Sequence, residues 1–576
     1  MHHVIDMYAG KKAGGTAPGS MVMERTGAQI LLDTLIAQGV DTLFGYPGGT
    51  VLDIFDALYE RQEELRLILT AHEQGAAHAA DGYARSTGKT GVVLATSGPG
   101  ATNLVTGIAT AYLDSVPLVA ITGNVARSLS GSDGFQEVNI TSVTKSIVKG
   151  NFVVRCTEDM AATVHDAIHL ANSGRKRPVL IDIPKDVGAA SIPYEKVEYP
   201  IEEPAAVISS EALEQAVAII AEAKRPLIYA GGGVTFSDAS DLLLAFSRKI
   251  GAPVCTSLMG LSSVPASYPL FLGLVGMHGA PTANKAVGEC DVLIAVGARF
   301  SDRVAGNRQR FAEQAKRIQI DIDPSELSKN VKMDVSLAGD VCAILPLLLG
   351  RLPVLERLDW VHSLQRYKAY NALPTGLSEM LTPHDIIVGL RQVFGEEGIV
   401  VTDVGQHQMW TAQYYRFARP RSFLSSCGLG TMGYGMGAAI GAQIGNPGRP
   451  VALVSGDGSF HMNLNELATA VTYNLPIIIL VFNNGVLGMV HQWQSLFYGD
   501  RFSHTILNRK TNYVALAEAF GAKGFTLTHK RDVRRVLEQA LAVGGPCVIN
   551  CVIDVAERVY PIIPPGMTAG DMIYSD

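Results

Sequence analysis

Residues 456–485, GDGSFHMNLNELATAVTYNLPIIILVFNNG, predict one repeat of a parallel α/β sheet. The apolar run VALVS comes just before the GDG turn, a helical segment is predicted at 464–474, and a dense apolar strand is predicted at 476–482. Continuous Val, Ile and Leu runs are typical of strands that are buried on both faces, as they are in parallel sheets. The two strands are therefore expected to end at the same edge of one sheet.

Polar side chains follow both of these strands. Asp457 stands in the turn after the first strand, and Asn483 and Asn484 follow the second. Because open α/β sheets bind ligands at the carboxyl ends of their strands, the three side chains predict a binding site at that edge. Their oxygen atoms suit Mg²⁺ or Ca²⁺ rather than zinc, and a hard cation with few protein ligands usually also holds phosphate oxygens. The stretch therefore predicts a site for a divalent cation and a phosphorylated compound.

The same alternation extends along the whole chain of 576 residues. Apolar runs such as TGVVLATSGPG, RPVLIDIP, CDVLIAVGA and PCVINCVID alternate with helical patterns, and many of them end in glycine-containing turns. We predict an α/β protein with three parallel-sheet α/β domains. The predicted divisions are a flexible N-terminal tail (1–20), domains at 21–191, 205–350 and 380–560, a C-terminal tail (561–576), and linkers at 192–205 and 352–384.

Charge, hydropathy and cysteine usage exclude several classes of protein. The net charge of −7 is spread without a Lys/Arg block, which argues against nucleic acid as a partner. The mean hydropathy is +0.19, yet no run of about 18 apolar residues predicts a membrane span. The seven cysteines form no CxxC pair, and the first 20 residues lack the apolar core of a secretory signal. We therefore expect reduced thiols and a cytoplasmic protein.

A carboxyl group in the first third of the chain predicts acid–base chemistry. Glu73 follows the strand-like run LRLILTA and opens a helix rich in small residues, HEQGAAHAADGYAR. Small neighbours such as Gly75 and Ala76 allow another surface to approach closely, and in dry surroundings a carboxyl group can hold and share a proton. In isolation, HEQG would favour the simpler interpretation of a first-turn Glu placed by the helix dipole.

Motifs throughout the chain resemble those of acetohydroxyacid synthase, also called acetolactate synthase, a thiamine diphosphate (ThDP) enzyme family. The 27 positions from Asp457 to Asn484, flanked by GDG and NN, resemble the ThDP motif. Similar stretches cover roughly residues 21–570, and they include FGYPGGTVLDIFDALY (44–59), HEQGAAHAADGYAR (72–85), AVGARFSDRVAGN (295–307), GLGTMGYGMGAAIGA (428–442) and NNGVLGMVHQWQSLFY (483–498). The resemblance implies a pyrimidine-binding domain, a central FAD-associated domain and a diphosphate-binding domain.

The resemblance assigns roles around ThDP. Asp457, Asn484 and the carbonyl of Val486 are implied to hold Mg²⁺, which grips the diphosphate. Glu73 is implied to hold a proton at N1′ of the aminopyrimidine, so that the 4′-amino group can act as a base. Since the family places this Glu and the diphosphate site on different subunits, a homodimer or homotetramer with its active site at the subunit interface is implied.

Further residues are implied to position ThDP. Met432, in GTMG, would be the apolar wedge that holds the cofactor bent, and the carbonyl of Val404 would accept a hydrogen bond from the aminopyrimidine. The other implied ThDP contacts are Gly405, Gln406, His407, Gly430, Gly456, Gly458, Ser459 and Met489.

The resemblance also implies substrate and FAD contacts. The residues implied near the reacting atoms are Gly45, Gln136 and Lys185. Arg303 would hold the carboxylate of the second substrate, because its planar fork can bind a carboxylate with two hydrogen bonds. Trp493 would pack against that substrate's alkyl group, with help from Met277. The implied FAD contacts are Gly231, Gly232, Gly233, Arg299, Asp323 and Asp340.

The function implied is that of the FAD-containing biosynthetic branch. Such an enzyme decarboxylates pyruvate and transfers the two-carbon unit to a second 2-keto acid, which starts branched-chain amino acid synthesis. Pyruvate as acceptor gives 2-acetolactate, toward valine and leucine, and 2-ketobutyrate gives 2-aceto-2-hydroxybutyrate, toward isoleucine. The family commonly also has a small regulatory subunit.

Two other classes stay open from the sequence. One is a sister ThDP enzyme, such as a 2-keto acid decarboxylase, a catabolic acetolactate synthase or a dione hydrolase. The other is a non-catalytic subunit that keeps the fold, which the presence of Glu73 and Asp457 disfavours. The chain departs from the family pattern at Ser301, where RFDDR is usual, and at His491, where MVRQW is commoner.

Overall fold

A computed structural model describes residues 22–196, 208–370 and 380–575. These residues form three six-stranded parallel sheets joined by helices, which confirms the predicted fold class. The predicted tail at 1–20 and most of the linker at 192–205 lie outside the described residues. Within the described parts of the chain, no helix is both long enough and apolar enough to cross a membrane.

The first sheet lies within residues 42–184. The strands of this region are β1 Met23–Thr26, β2 Thr42–Gly45, β3 Arg66–Leu69, β4 Gly91–Ala95, β5 Leu118–Asn124, β6 Asn151–Val153, β7 Val179–Pro184 and β8 Ser191–Tyr194. Its helices are α1 Gly27–Ala37, α2 Leu52–Tyr59, α3 Glu73–Thr87, α4 Pro99–Asn103, α5 Val105–Asp114, α6 Ile140–Thr144, α7 Met160–Asn172 and α8 Lys185–Ala189. The sheet order is β3-β2-β4-β5-β7-β6, and β1 pairs with β8 in a separate antiparallel ribbon.

The middle sheet lies within residues 226–338. Its strands are β9 Pro226–Ala230, β10 Val254–Thr256, β11 Phe271–Leu274, β12 Val292–Val296, β13 Lys316–Asp321 and β14 Val335–Ala338, in the order β11-β10-β9-β12-β13-β14. The helices of this region are α9 Ser210–Glu222, α10 Gly232–Phe236, α11 Ser240–Ile250, α12 Pro281–Glu289, α13 Asp302–Ala305, α14 Val341–Arg351 and α15 Leu358–Tyr370.

The third sheet lies within residues 399–552. Its strands are β15 Ile399–Thr402, β16 Phe423–Ser425, β17 Val451–Gly456, β18 Ile477–Asn483, β19 Lys523–Leu527 and β20 Cys547–Val552, in the order β16-β15-β17-β18-β20-β19. Its helices are α16 Pro383–Phe394, α17 Gln406–Tyr414, α18 Gly435–Gly445, α19 Asp457–Asn463, α20 Leu467–Thr472, α21 Gly488–Tyr498, α22 Tyr513–Phe520 and α23 Val533–Ala542. As the sequence predicts, β17 and β18 are adjacent and parallel. The predicted helix at 464–474 is a 3₁₀ turn, Leu464–Glu466, followed by α20.

The first and third sheets share one topology. When the strands of each are numbered from its own first strand, both run 2-1-3-4-6-5, whereas the middle sheet runs 3-2-1-4-5-6. The sequence shows no repeat that would predict this likeness. In such open sheets, a ligand crevice forms where neighbouring connections leave in opposite directions, and the strand order fixes that place in each domain.

Helices α3 and α18 join the first and third domains at very close range. A Cβ atom added at Gly441 would lie 1.8 Å from the carbonyl oxygen of Ala79, and one at Gly82 would lie 2.2 Å from that of Ala438. Since both separations are far below van der Waals contact, only glycine allows the two backbones to touch. The small-residue helix that Glu73 opens is therefore an interdomain contact.

A buried ion cluster reinforces this contact. Arg85 of α3 pairs with Asp81 at 2.6 Å and with Asp114 at 2.9 Å, and all three side chains are almost fully buried. The hydroxyl of Tyr434 donates to Asp81 at 2.7 Å. Because removing one member would leave an uncompensated buried charge, the cluster fixes how the domains meet.

Buried apolar clusters also cross the domain boundaries. One contains Ile294 of the middle sheet and Val454 of the third. Another contains Val93 of the first sheet and Leu453 of the third. The third sheet is thus the shared centre of the core.

The linker predicted at 352–384 is wrong for much of its length, because α15 occupies residues 358–370. Trp360 and Leu364, spaced four apart, are buried on the middle domain, and the Trp360 indole donates to the carbonyl of Pro226 at 3.0 Å. Packing of these two side chains stabilises a helix that has weak periodicity in the sequence. The C-terminal segment also packs on this domain, since the Ile563 amide donates to the carbonyl of Met277 at 2.8 Å.

Candidate active site

A cavity of about 810 Å³ lies between the middle and third domains. Its walls come from the loops after the six strands of the middle sheet and after β15, β16, β17 and β18 of the third, together with residues 113–115 and 174–176 of the first domain. These loops include the pairs at which the strand order changes direction, after β9 and β12 in the middle sheet and after β15 and β17 in the third. Two crevices thus open into one space.

Asp457 lies at the first position of α19, directly after β17. Its carboxylate accepts hydrogen bonds from the amides of Gly458 and Gly485, both at 2.9 Å, so it ties the end of β17 to the loop after β18. Burial raises the pKa of Asp457 to about 6, although these amides act in the opposite direction. A cation at this carboxylate would offset the cost of burial.

The other two predicted metal ligands lie in the loop after β18. Asn484 accepts a hydrogen bond from the Val486 amide at 3.2 Å, and both residues line the cavity with Asp457. One carboxylate, one side-chain amide and one backbone carbonyl make an all-oxygen donor set. That set suits Mg²⁺ with phosphate oxygens filling its remaining positions.

His407 gives the third-domain wall a neutral hydrogen-bonding group. The ring is buried, its Nε2 atom has no hydrogen-bond partner among the described residues, and burial lowers the pKa of His407 to about 3. Cβ atoms at Gly405 and Gly456 would lie 2.8 Å and 3.0 Å from the ring, so both positions need glycine. An unpaired buried nitrogen facing a cavity favours a ligand, and it fits a phosphate oxygen when it carries the proton.

The loop that carries Met432 is fixed by a buried carboxylate. Asp403 accepts from the amides of Gly433 and Gly435, both at 2.9 Å, and from the Ser455 hydroxyl at 2.6 Å. These bonds join the loop to the end of β17. Half-buried Met432 therefore lines the cavity from a rigid turn.

Ser459 and Val404 connect two further parts of this wall. The Ser459 hydroxyl donates to the carbonyl of Val404 at 3.1 Å. A carbonyl oxygen has two lone pairs, so that of Val404 can still accept a second hydrogen bond from a ligand.

The middle sheet supplies a wall of the kind that binds dinucleotides. Its order, 3-2-1-4-5-6, changes direction between β9 and β12, and Gly232, Gly233 and Arg299 follow these two strands into the cavity. A Cβ atom at Gly233 would lie 2.7 Å from Gly297 Cα, so the loops approach each other closely only with glycine there. Such a crevice fits a flavin dinucleotide.

One of the two acidic residues that the resemblance implies for FAD lies outside this crevice. Asp323 does not line the cavity. It caps the 3₁₀ turn Pro324–Glu326 and pairs with Arg175 at 3.1 Å. Asp321, two positions earlier at the end of β13, lines the cavity instead, and burial raises its pKa to about 6. Asp340 lines the cavity as the resemblance implies.

Arg303 and Trp493 meet at the cavity from different domains. The Arg303 guanidinium lies 5.6 Å from the Trp493 ring centroid, and its Nη1 atom lies 3.6 Å from the sulfur of Met277. Stacking of a guanidinium on an indole is favourable and orients the charged fork. One cation and two apolar side chains thus come together in a geometry suited to a small carboxylate with an alkyl group.

The cavity brings together most of the predicted site residues. Those lining it are Met277, Gly232, Gly233, Arg299, Arg303, Asp340, Val404, Gly405, Gln406, His407, Gly430, Met432, Gly456, Asp457, Gly458, Ser459, Asn484, Val486, Met489 and Trp493. Gly231 lies just outside, where its amide donates to the carbonyl of Val296 at 2.9 Å.

Glu73, Gly45, Gln136 and Lys185 do not line this cavity. They lie at or beyond the carboxyl ends of strands of the first sheet. Glu73 opens α3, and its carboxylate accepts from Asn103 at 2.9 Å. The same chain therefore does not place Glu73 in the cavity that contains Asp457.

Comparison with known proteins decides the family. Three models of thiamine pyrophosphate enzymes match the chain: the N-terminal TPP binding domain at residues 25–143, the central domain at 213–348 and the C-terminal TPP binding domain at 403–551. The acetolactate synthase isozyme 2 large subunit of Escherichia coli is 44% identical over 548 residues, which cover 95% of this chain and 99% of the relative. The chain belongs to the acetolactate synthase large-subunit family.

Other relatives agree with this membership. The acetolactate synthase large subunit of Porphyra purpurea is 45% identical over 566 residues, covering 96% of this chain and 95% of the relative. The probable acetolactate synthase large subunit of Methanocaldococcus jannaschii is 45% identical over 556 residues, covering 94% of both chains. The predicted resemblance to this ThDP enzyme family is confirmed, and the decarboxylase and hydrolase alternatives are not favoured.

The sequence of this acetolactate synthase family member does not predict several of its cavity residues. Arg175 reaches across from the first domain, pairs with Glu326 at 2.8 Å and, like Glu326, lines the cavity. The basic run GRKRP before β7 is the only sequence feature that could have indicated Arg175 as a binding residue. The sequence alone does not show that the fold brings this run to the middle domain. Among the departures from the family pattern, Ser301 lines the cavity, and the His491 ring stacks on Phe502 with centroids 3.9 Å apart.

Proposed function

We propose that the protein is a biosynthetic acetolactate synthase that uses ThDP, Mg²⁺ and FAD. The observation that carries this proposal is the single cavity that joins Asp457 and Asn484, the dinucleotide-type crevice of the middle sheet, and the Arg303–Trp493 pair. A decarboxylase needs the first of these features but has no use for a second carboxylate-binding group. The large-subunit relatives support the same activity.

Bound ThDP would supply a nucleophilic carbon and an electron sink for decarboxylation. Asp457, Asn484 and the carbonyl of Val486 would hold Mg²⁺, and His407 would donate to the diphosphate. Met432 would press the cofactor into a bent shape. The chain's work is to place the reacting atoms, which alone can supply a large share of the rate enhancement.

Arg303 and Trp493 would select the second substrate. The guanidinium would bind the carboxylate of a 2-keto acid, and the indole would contact its alkyl group. A longer alkyl chain gains more contact with the indole, so 2-ketobutyrate would be preferred over pyruvate as acceptor. The products would be 2-aceto-2-hydroxybutyrate and 2-acetolactate.

Glu73, Gly45, Gln136 and Lys185 would serve the cavity of a second copy of the chain. Exposed apolar side chains at the edge of the first sheet support this, including Phe135 at 89% exposure and Leu52 at 55%. We therefore propose a homo-oligomer in which Glu73 of one copy holds the proton at N1′ of the cofactor bound to another. The "large subunit" relatives also support a small regulatory partner.

The domain bounds and the compartment are also part of the proposal. Domains at 21–191, 205–350 and 380–560 each enclose one sheet. All seven cysteines are free thiols, which supports a cytoplasmic location.

A product assay on the purified protein tests the function. The protein would be supplied with ThDP, Mg²⁺, FAD and pyruvate, with and without 2-ketobutyrate, and its visible spectrum would be recorded after gel filtration. We expect acetohydroxybutyrate as the main mixed-substrate product and a flavin band that elutes with the protein. Acetaldehyde as the main product, without flavin, would assign the chain to a decarboxylase instead.

A further inference from the structure

The loop that leads into Glu73 is held by the third domain of the same chain. The amide of Ala71 donates to Glu466 Oε2 at 3.1 Å, and the amide of His72 donates to Glu466 Oε1 at 2.9 Å. Nearby, the amide of Leu69 donates to the hydroxyl of Tyr473 at 2.8 Å. The backbone amides at the end of β3 and just after it thus donate to side chains about 400 positions away in sequence.

Glu466 is enclosed at this contact. It ends the 3₁₀ turn Leu464–Glu466, its side chain is fully buried, and it does not line the cavity. The Thr469 hydroxyl donates to Oε2 at 2.7 Å, and a Cβ atom at Gly75 would lie 2.1 Å from Oε1. The Glu466 carboxylate therefore packs directly against the first turn of α3, with no room for a side chain at Gly75.

The hydrogen-bond pattern requires both Oε atoms of Glu466 to be acceptors. Each carboxylate oxygen faces a backbone N–H, which can only donate. A glutamine at this position would turn its NH₂ group toward one of these amides, whichever way it was flipped. The substitution would place two N–H donors against each other and leave a buried backbone donor unpaired. This costs more free energy than the loss of one hydrogen bond.

We propose that Glu466 is a positioning residue for Glu73, because it fixes the backbone of the two residues that come just before it. This inference rests on the proposed proton-holding role of Glu73. Fixing Ala71 and His72 sets the direction in which the first turn of α3 presents the Glu73 carboxylate. Proton transfer between a carboxyl group and a ring nitrogen needs a heavy-atom separation near 3 Å, so a small displacement of this turn slows it steeply.

The test measures the step that Glu73 serves rather than turnover alone. Glu466→Gln would be compared with wild type in the rate at which the C2 proton of bound ThDP exchanges with deuterium, followed by acid quench and NMR. ThDP affinity would be measured separately by fluorescence titration with Mg²⁺ present. Tyr473→Phe is the matched control, because it removes the neighbouring interdomain hydrogen bond but leaves Ala71 and His72 untouched.

We expect Glu466→Gln to slow C2 exchange by about 10- to 100-fold, with ThDP affinity within about threefold of wild type. Glu466→Asp, which keeps two acceptors on a shorter side chain, should recover part of the exchange rate and provides a second variant if Glu466→Gln does not fold. Tyr473→Phe should exchange within about twofold of wild type, since it leaves both bonded amides in place.

Two results would overturn the inference: wild-type exchange in Glu466→Gln and Glu466→Asp, or an equal slowing in Tyr473→Phe, which would mark a general domain contact. Failure of the proposed function itself would look different. In that case wild-type protein would not accelerate C2 exchange over free ThDP at all.

Discussion

At the scale of single residues, this chain uses buried carboxylates for different purposes. Asp457 offers its oxygens to a cavity, Asp403 braces a loop, and Glu466 holds the start of a helix in another domain. Their burial is similar, so burial alone does not identify a functional carboxylate. Asp457 differs from the other two in lining the cavity, although each of its oxygens also accepts one backbone amide.

Asp182 gives a prediction about pH. It is buried in β7, accepts from Thr122 at 2.7 Å and from Asn124 at 2.5 Å, and burial raises its pKa to about 6. Because the folded-state pKa exceeds the ordinary value of 3.8, folded protein favours the protonated form, and the stability this gives is lost as pH rises from about 4 to about 6. Asp182→Asn should therefore match wild type near pH 4 and exceed its free energy of unfolding by up to about 3 kcal/mol above pH 7.

Urea unfolding of both proteins across this pH range measures the difference. Asp186→Asn is the control of opposite sign, because burial raises the pKa of Asp186 but hydrogen bonds from Arg127 outweigh it and the net pKa is lowered. That variant should lose stability relative to wild type above pH 4. Parallel stability curves for Asp182→Asn and wild type would contradict the prediction.

Trp493 gives a prediction about specificity. Trp493→Leu removes the indole that stacks with Arg303 and shortens the surface offered to an alkyl group. The ratio of acetohydroxybutyrate to acetolactate, measured at equal concentrations of 2-ketobutyrate and pyruvate, should fall by about tenfold, since one methylene in an apolar pocket is worth that much. Tyr498→Leu, at an exposed position on the same helix, should leave the ratio unchanged, and an unchanged ratio in Trp493→Leu would place the selectivity elsewhere.

At the scale of elements, the α3–α18 contact depends on glycines, which have no side chain to separate the two helix backbones. Gly441→Ala places a methyl group 1.8 Å from the carbonyl oxygen of Ala79, where neither backbone can move alone. We expect a loss of about 3 kcal/mol in the free energy of unfolding, because overpacking at a rigid contact forces backbone shifts. Calorimetry or urea unfolding measures it.

The control is a helical glycine in open space. A Cβ atom at Gly350, in α14, would meet no other atom within 4 Å. Gly350→Ala should leave stability unchanged or raise it by up to about 1 kcal/mol, since alanine is the better helix former. Equal losses in both variants would refute the packing argument.

How far the sequence predicts an element depends on whether its signal is local. Strand β18, the turn at Asp457 and the start of α3 at Glu73 are all predicted, because apolar runs and turn residues sit within a few positions of each other. Helix α15 was missed, since its buried face is set by the middle domain on which it packs. The sequence does not predict which acidic residue after β13 lines the cavity, because Asp321 lines it and Asp323, two positions later, does not.

At the scale of the whole molecule, the decisive fact is the separation of Glu73 from the cavity that contains Asp457. On the proposed role of Glu73, a second copy of the chain would bring the two groups together. In a two-fold symmetric dimer this proposed arrangement would be reciprocal, because each copy would offer the Glu73 edge of its first sheet and receive that of the other.

This arrangement predicts complementation between inactive variants. Glu73→Gln and Asp457→Ala should each abolish nearly all acetolactate formation when expressed alone. Co-expressed in equal amounts, they should recover up to about a quarter of wild-type activity, since half the dimers are hybrids and each hybrid has one complete site. No recovery in purified, differently tagged hybrids would mean that Glu73 acts within its own chain.

The core that spans the domains also constrains how the chain is made. Helix α3 packs against α18, which leaves the ribosome more than 300 residues later, and the middle sheet shares its apolar cluster with the same late region. At about 5–20 residues per second, the surface of α3 stays uncovered for roughly 15–70 s, and that of the middle sheet for a shorter time. Synthesis of this protein should therefore depend on chaperones that shield apolar surface until translation ends.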